Sequence, residues 1–151
     1  MVHVVLDNDA DCAEFIRLNE LWIEEHFVLE EVDRRLAADP YKIVRDGGHI
    51  IALREQGHVV GVCALFRESS TQFELARMAV LPSQRGRGFG HVLIRAAIAK
   101  ARDRGATRIH LLSNTILAPA VALYRKYGFQ TVSEGPHPLY ARCNIVMELQ
   151  L

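Results

Sequence analysis

Gln84-Arg85-Gly86-Arg87-Gly88-Phe89-Gly90 is the stretch on which the reading of this chain turns. It lies between a strand-like run, Phe73 to Val80, and a run with helical spacing of apolar residues, Val92, Leu93, Ala96, Ala97 and Ala101. Glycines at alternate positions let the backbone turn tightly and present several N–H groups to one concave space. The following helix adds its own unpaired N–H groups and the positive end of its dipole. Such a construction holds a phosphate or pyrophosphate, with Arg85 and Arg87 adding charge at the rim. The competing reading is a tight connection and nothing more. Two common phosphate readers are excluded by spacing. No Lys-Ser or Lys-Thr follows the glycines, as a nucleoside-triphosphate loop requires, and His91 stands where a dinucleotide fingerprint needs its third glycine.

Outward from the loop, the helix is predicted to run to about Arg104, stopped by Gly105, and Thr107 to Ser113 reads as the next strand. Strand, loop, helix and strand make one βαβ crossover and so one parallel pair. Pro119 opens a short helix, Ala120 to Tyr127, closed by Gly128. Phe129 to Ser133 and Asn144 to Leu149 read as two final strands. Upstream, Asp11 with Glu14 has the form of a capping box. Phe15, Leu18 and Trp22 share one face of a first helix, about Asp11 to Glu25. Glu30 to Ala38 reads as a second helix, stopped by Asp39-Pro40. His49 to Arg54, His58 to Phe66 and Phe73 to Val80, separated by Gln56-Gly57 and Ser69-Ser70-Thr71, form an antiparallel meander. The expectation is one α/β domain over residues 1–151, with a mixed, mostly antiparallel sheet flanked by helices and a single central βαβ crossover.

The chain has 151 residues, 18 basic and 18 acidic, so nothing draws it generally toward nucleic acid and any anion site must be local. The start, Met1-Val-His-Val-Val-Leu-Asp, lacks the form of a signal peptide, and no apolar run reaches membrane-spanning length. Cys12, Cys63 and Cys143 are odd in number and far apart, which suits reduced thiols in a cytoplasmic protein. The seven histidines include no His-Glu-x-x-His, so no metal is expected.

Arg85-x-x-Gly88-x-Gly90, preceded by Phe73-Glu-Leu-Ala-Arg-Met-Ala-Val80, resembles the pyrophosphate motif of the GCN5-related N-acetyltransferases, the GNAT family. Ala120-Val-Ala-Leu-Tyr124-Arg-Lys-Tyr-Gly128-Phe129 resembles that family's second segment, and the order of elements agrees along the whole chain. A finer likeness involves Leu21-Trp22, Asp39-Pro40, Gly47-Gly48, Ser113-Asn114-Thr115 and Tyr140 to Met147. These look like a bacterial subgroup whose members are in part fused to MarR-type DNA-binding domains. Leu117 stands where many members have Asn, with Asn114 three residues earlier as a polar substitute.

The resemblance implies acetyl-CoA as donor and a small-molecule or peptide amine as acceptor, with no nucleic acid or membrane partner, and leaves a homodimer open. It implies that backbone N–H groups of Arg85, Gly86, Arg87, Gly88, Phe89 and Gly90 face the pyrophosphate. The backbones of Met78, Ala79 and Val80 would pair with the pantetheine arm and polarise the thioester carbonyl. Tyr124 would protonate the leaving thiolate; a phenol with a pKa of about 10 stays a proton donor where a thiol of about 8.5 needs one. Glu74 corresponds to the general base of histone-acetylating members. Alternation places it on one strand face with Ala76, Met78 and Val80, and the competing reading pairs it with Arg77 or solvent. Trp22, Tyr140, Arg142 and Asn144 are the acceptor candidates, with core packing as the competing reading of Trp22 and a surface charge that of Arg142, and His26 and His137 are weaker ones. No activated Cys or Ser-His pair is visible, so direct attack by the amine is expected. The rival function is an acyl-CoA-binding sensor without turnover.

Overall fold

The computed structural model describes residues Met1–Leu151. The central sheet has seven strands in the order β1-β2-β3-β4-β5-β7-β6. These are β1 Val2–Leu6, β2 His49–Glu55, β3 His58–Arg67, β4 Gln72–Val80, β5 Arg108–Ser113, β6 Gln130–Glu134 and β7 Ile145–Gln150. The helices are α1 Cys12–His26, α2 Glu31–Ala38, α3 Lys42–Arg45, α4 Phe89–Asp103 and α5 Ala118–Lys126. Every neighbouring pair is antiparallel except β4 and β5, which are parallel and joined through α4. The expected crossover is therefore present at the middle of the sheet.

Each face of the sheet has its own apolar layer. Leu93, Ile94, Ala97 and Ala101 of α4 pack on Ile51, Leu65, Phe73, Leu75, Ile109 and Met147. Phe15 and Leu18 of α1 pack on Ile50, Ala52, Val62, Ala64 and Ala79 on the other side. Alternation along the strands sends successive side chains to opposite layers. The 3.6-residue period of α1 and α4 turns one stripe of each helix to the sheet.

The N-terminal region departs from expectation. Val2–Leu6 is an antiparallel edge strand on β2, with Val2 opposite Glu55 and Leu6 opposite Ile51. Most of its side chains are exposed or half-exposed, so it lacks the clean apolar alternation that marks a strand. Asp11 does not cap α1. The Asn8 side chain instead accepts from the Ala10 N–H, and Asp11 is buried against Arg54. The capping box is one helix later, where the Glu30 side chain accepts from the Asp33 N–H and the Asp33 carboxylate accepts from the Glu30 N–H at 2.8 Å. The one-turn helix α3 was too short to show a period.

Two irregularities shape the middle of the sheet. Val62 pairs with Ala79 and Ala64 with Ala76, so Arg77 and Met78 together face Cys63 in a β-bulge, with Arg77 at φ 59°. The bulge reverses the alternation. Phe73 and Leu75 face α4 before it, whereas Met78 and Val80 do so after it, with Ala79 facing α1. Glu74 therefore does not share a face with Met78 and Val80, which corrects the simple period-2 reading. In the second irregularity, the parallel pairing covers only Gln72–Arg108, Phe73–Ile109 and Glu74–His110. Beyond that last rung β4 stays with β3 and β5 with β7, and the two strands part.

Candidate active-site cleft

The parting of β4 and β5 opens a cleft of about 730 Å³, including its open mouth. One wall is Leu75, Ala76, Arg77 and Met78 from β4. The other is Leu112, Ser113 and Asn114, with Leu117, Ala120 and Tyr124 from the following loop and α5. Trp22, Ile23 and Phe27 of the first-helix region close one side, and Tyr140, Arg142 and Cys143 another. Glu74 lies where the strands separate. Seven of the residues singled out from the sequence thus meet in one place: Glu74, Met78, Tyr124, Asn114, Trp22, Tyr140 and Arg142.

At the loop, Gly86 and Gly88 have φ of 83° and 80°, the left-handed region that L side chains avoid. A Cβ at either would meet nothing within 4 Å, so the space above the loop is open. The first backbone bond closing α4 runs from the Val92 N–H to the Gly88 carbonyl at 3.4 Å. The N–H groups of Phe89, Gly90 and His91 precede it and have no helical carbonyl to meet. This open, N–H-rich helix start fits a pyrophosphate. Gly90 lies against α5, with an added Cβ reaching within 3.3 Å of the Leu123 side chain, so loop and Tyr124 helix adjoin. Arg85 and Arg87 are engaged with carboxylates. Arg85 pairs with Glu25 at 2.9 Å, and Arg87 forms a two-pronged pair with Glu55 at 2.7 Å while lying over the Phe89 ring.

Tyr124 is half-buried, its ring edge-on to Phe129 at 6.0 Å. Burial, helped by the neighbouring Cys63, pushes its pKa up to about 12, so the phenol keeps its proton at any working pH. Glu74 moves the same way for a carboxyl. Burial first, then the charge of Glu68 and a hydrogen bond with it, raise its pKa to about 7 against an opposing pull from Arg77. A carboxyl titrating near neutrality is a competent base.

Arg77 does not pair with Glu74. Its Nη1 donates to Asp33 at 2.6 Å and to Asn19 at 3.1 Å, and its Nη2 donates to the Tyr140 hydroxyl at 2.9 Å. Arg142 grips the same Asp33 with two bonds of 2.7 Å and adds Glu30 at 3.1 Å. Both guanidiniums approach the Tyr140 ring, at 5.5 and 4.7 Å. This network ties α2 to the β4 bulge and to the segment before β7, and it stabilises the unfavourable φ of Arg77. Nothing in the local sequence marks Asp33 for it, because its partners lie 44 and 109 residues away. Asn144 lies outside the cleft, accepting from the Thr115 N–H and donating to the Thr115 hydroxyl. Asn114 lines the cleft and also donates to the Arg142 carbonyl.

Burial raises the Asp33 pKa, but the Arg142 hydrogen bonds, the Glu30 N–H and the two guanidinium charges outweigh it and bring it to about 2, from 3.8. A depressed carboxyl stabilises the fold above its unfolded pKa, and that contribution is lost as pH falls through the folded value. Acid unfolding followed by circular dichroism is therefore expected to show a loss on the order of 2 kcal/mol between about pH 4 and pH 2. That loss should be missing in Asp33→Asn.

A sequence model of the acetyltransferase (GNAT) family matches residues 15–129. The chain is 34% identical over 107 residues to streptothricin acetyltransferase of Streptomyces lavendulae, covering 63% of this chain and 57% of that protein. It is 34% identical over 104 residues to the uncharacterized N-acetyltransferase YjgM of Escherichia coli, covering 63% and 62%. The chain thus spans about three fifths of the length of these curated relatives. A GNAT-family acetyltransferase from Staphylococcus aureus superposes with a TM-score of 0.87 at 18% identity, over 100% of this chain and 99% of that one. The yncA protein of Salmonella typhimurium, solved with its cofactor acetyl-CoA, does so at 0.78 and 22%, over 100% and 94%. No helix is long and apolar enough to cross a membrane.

Proposed function

The chain belongs to the acetyltransferase (GNAT) family, and from that premise we propose that it moves acetyl from acetyl-CoA to a primary amine by direct attack. The observation that carries this reading is the cleft between β4 and β5, with Glu74 and Tyr124 both on its lining and the open glycine loop beside α5. Acetyl-CoA, when bound, supplies the activated thioester. The N–H groups at the start of α4 hold its pyrophosphate, and the edge of β4 past Glu74, which has no strand neighbour on that side, receives the pantetheine arm. Glu74 takes a proton from the incoming amine. Tyr124 holds a proton for the departing sulfur.

Direct attack is favoured over an acyl-enzyme because the thiols are poor nucleophiles. Burial pushes Cys63 up to about 12 and Cys143 to about 11, so neither is a thiolate at neutral pH. The acceptor end is largely apolar, with Trp22, Ile23 and Phe27 on it. Arg77 and Arg142 already have carboxylate partners, so neither is free to clamp an acidic acceptor. An amine with an apolar flank suits this surface. The likeness to the subgroup partly fused to MarR-type regulators rests on the segments quoted above and selects no acceptor.

The test is thermal unfolding with acetyl-CoA, CoA, ATP or NAD, followed by thiol release over streptothricin, polyamines, amino acids and peptide N-termini. A native-state ligand stabilises the fold by about 2.7 kcal/mol at a hundred times Kd, and so raises the midpoint with its concentration. Acetyl-CoA and CoA are expected to do so, and ATP and NAD are not. No shift at saturating acetyl-CoA would remove the cofactor assignment. A shift without thiol release on any amine would favour the sensor.

A further inference from the structure

The last parallel rung of the sheet places Glu74 beside His110, and both are nearly enclosed, with side chains 14% and 13% exposed. Glu68, in the turn between β3 and β4, reaches the same point from outside and is 38% exposed. The His110 Nε2 is 3.1 Å from Glu68 and 3.9 Å from Glu74, and the two carboxyls lie within 4.8 Å of each other. This forms a continuous line from the cleft to solvent that the chemistry above does not use.

The ring's proton position follows from its neighbours. Arg108 Nη2 donates to the Gln72 Oε1 at 2.6 Å, which turns the Gln72 amide nitrogen toward His110. That nitrogen donates to His110 Nδ1 at 3.0 Å, so Nδ1 is the acceptor and the neutral ring carries its proton on Nε2. Burial lowers the His110 pKa and favours this neutral ring, against the charges of Glu68 and Glu148. The Nε2–H then points at Glu68. A cation held by the same three groups would need Nε2 without its proton, contrary to the Gln72 contact, so the cluster suits proton transfer instead.

We propose that Glu68 is the proton exit for Glu74, held in place by the His110 Nε2–H, a step that rests on the reading of Glu74 as base. An ammonium acceptor loses two protons in becoming an amide: one ends on the coenzyme A thiol and one must leave the cleft. An amine N–H bond breaks as an O–H bond forms on Glu74. That O–H then breaks as one forms on the Glu68 carboxylate, and Glu68 releases the proton to water. His110 is a positioning residue here. The other groups around the pair are Arg77, Tyr140 and Cys143 at Glu74, and Arg108, Glu148 and His137 at His110.

Two measurements test this. In the unliganded protein, carboxyl NMR should show Glu74 titrating at about 7 and moving to lower pH in Glu68→Gln, because a neighbouring negative charge is gone. With acetyl-CoA and the most active amine of the panel, Glu68→Gln should lower kcat on the order of tenfold or more with KM for acetyl-CoA unchanged. The acid limb of its pH profile should move to lower pH. Added imidazole should restore turnover in this variant, and Glu68→Asp should retain most of it. Wild-type kcat in Glu68→Gln, or a loss that imidazole does not relieve, would overturn the exit and send the proton through the depression that Glu74 shares with Arg67 and Leu139. Full activity in Glu74→Gln would instead overturn the base itself, so the two failures are distinct.

Discussion

Tyr124→Phe is expected to lower kcat by about 10²- to 10⁴-fold, the range for removing a positioned general acid, while acetyl-CoA still raises the unfolding midpoint. The substitution deletes one oxygen and leaves the ring that packs edge-on against Phe129. The hydroxyl makes no protein hydrogen bond whose loss would unsettle the fold. Its pKa of about 12 keeps the proton in place across the working range, so the loss should be nearly independent of pH between about 6 and 9. Thiol release measures kcat, and the ligand-dependent midpoint measures binding. A variant that binds acetyl-CoA and turns over like wild type would remove Tyr124 from the chemistry.

The second large effect is on stability. Asp33→Ala is expected to cost about 3–5 kcal/mol in urea unfolding, because it strands buried guanidinium charge. Asp33 is 3% exposed and accepts from both Arg77 and Arg142. Arg142 retains Glu30, but Arg77, with a side chain 6% exposed, keeps only neutral partners, Asn19 and Tyr140. The damage reaches the cleft because Arg77 is the bulge residue of β4. Adding Arg142→Met to Asp33→Ala should cost little more, since the main partner of that charge is already gone. A loss under about 1 kcal/mol for Asp33→Ala would show that water repairs the network easily.

What could be read from the chain alone was whatever nearby residues decide among themselves. The loop from Gln84 to Gly90, the periodic stripes of α1 and α4 and the turn signals between strands were legible for that reason. Local signals were also open to misreading. Asp11 and Glu14 have a capping-box spacing, yet Arg54 draws the Asp11 carboxylate away. Val2–Leu6 becomes a strand only because β2 offers it an edge. Period-2 alternation from Glu74 to Val80 fails at Arg77, where the bulge is fixed by a carboxylate 44 residues upstream.

The sequence by itself determined the family, the glycine loop between β4 and α4, the βαβ crossover and the nomination of Tyr124 and Glu74. These depend on backbone preferences and spacings within a few dozen residues. The tertiary structure alone decided which side chains meet. It sets Glu68 and His110 beside Glu74, gathers Arg77, Arg142 and Tyr140 around Asp33, leaves Asn144 outside the cleft, and parts β4 from β5 after a single short ladder. Such meetings depend on burial and charge pairing between segments far apart in the chain, and no local periodicity encodes them.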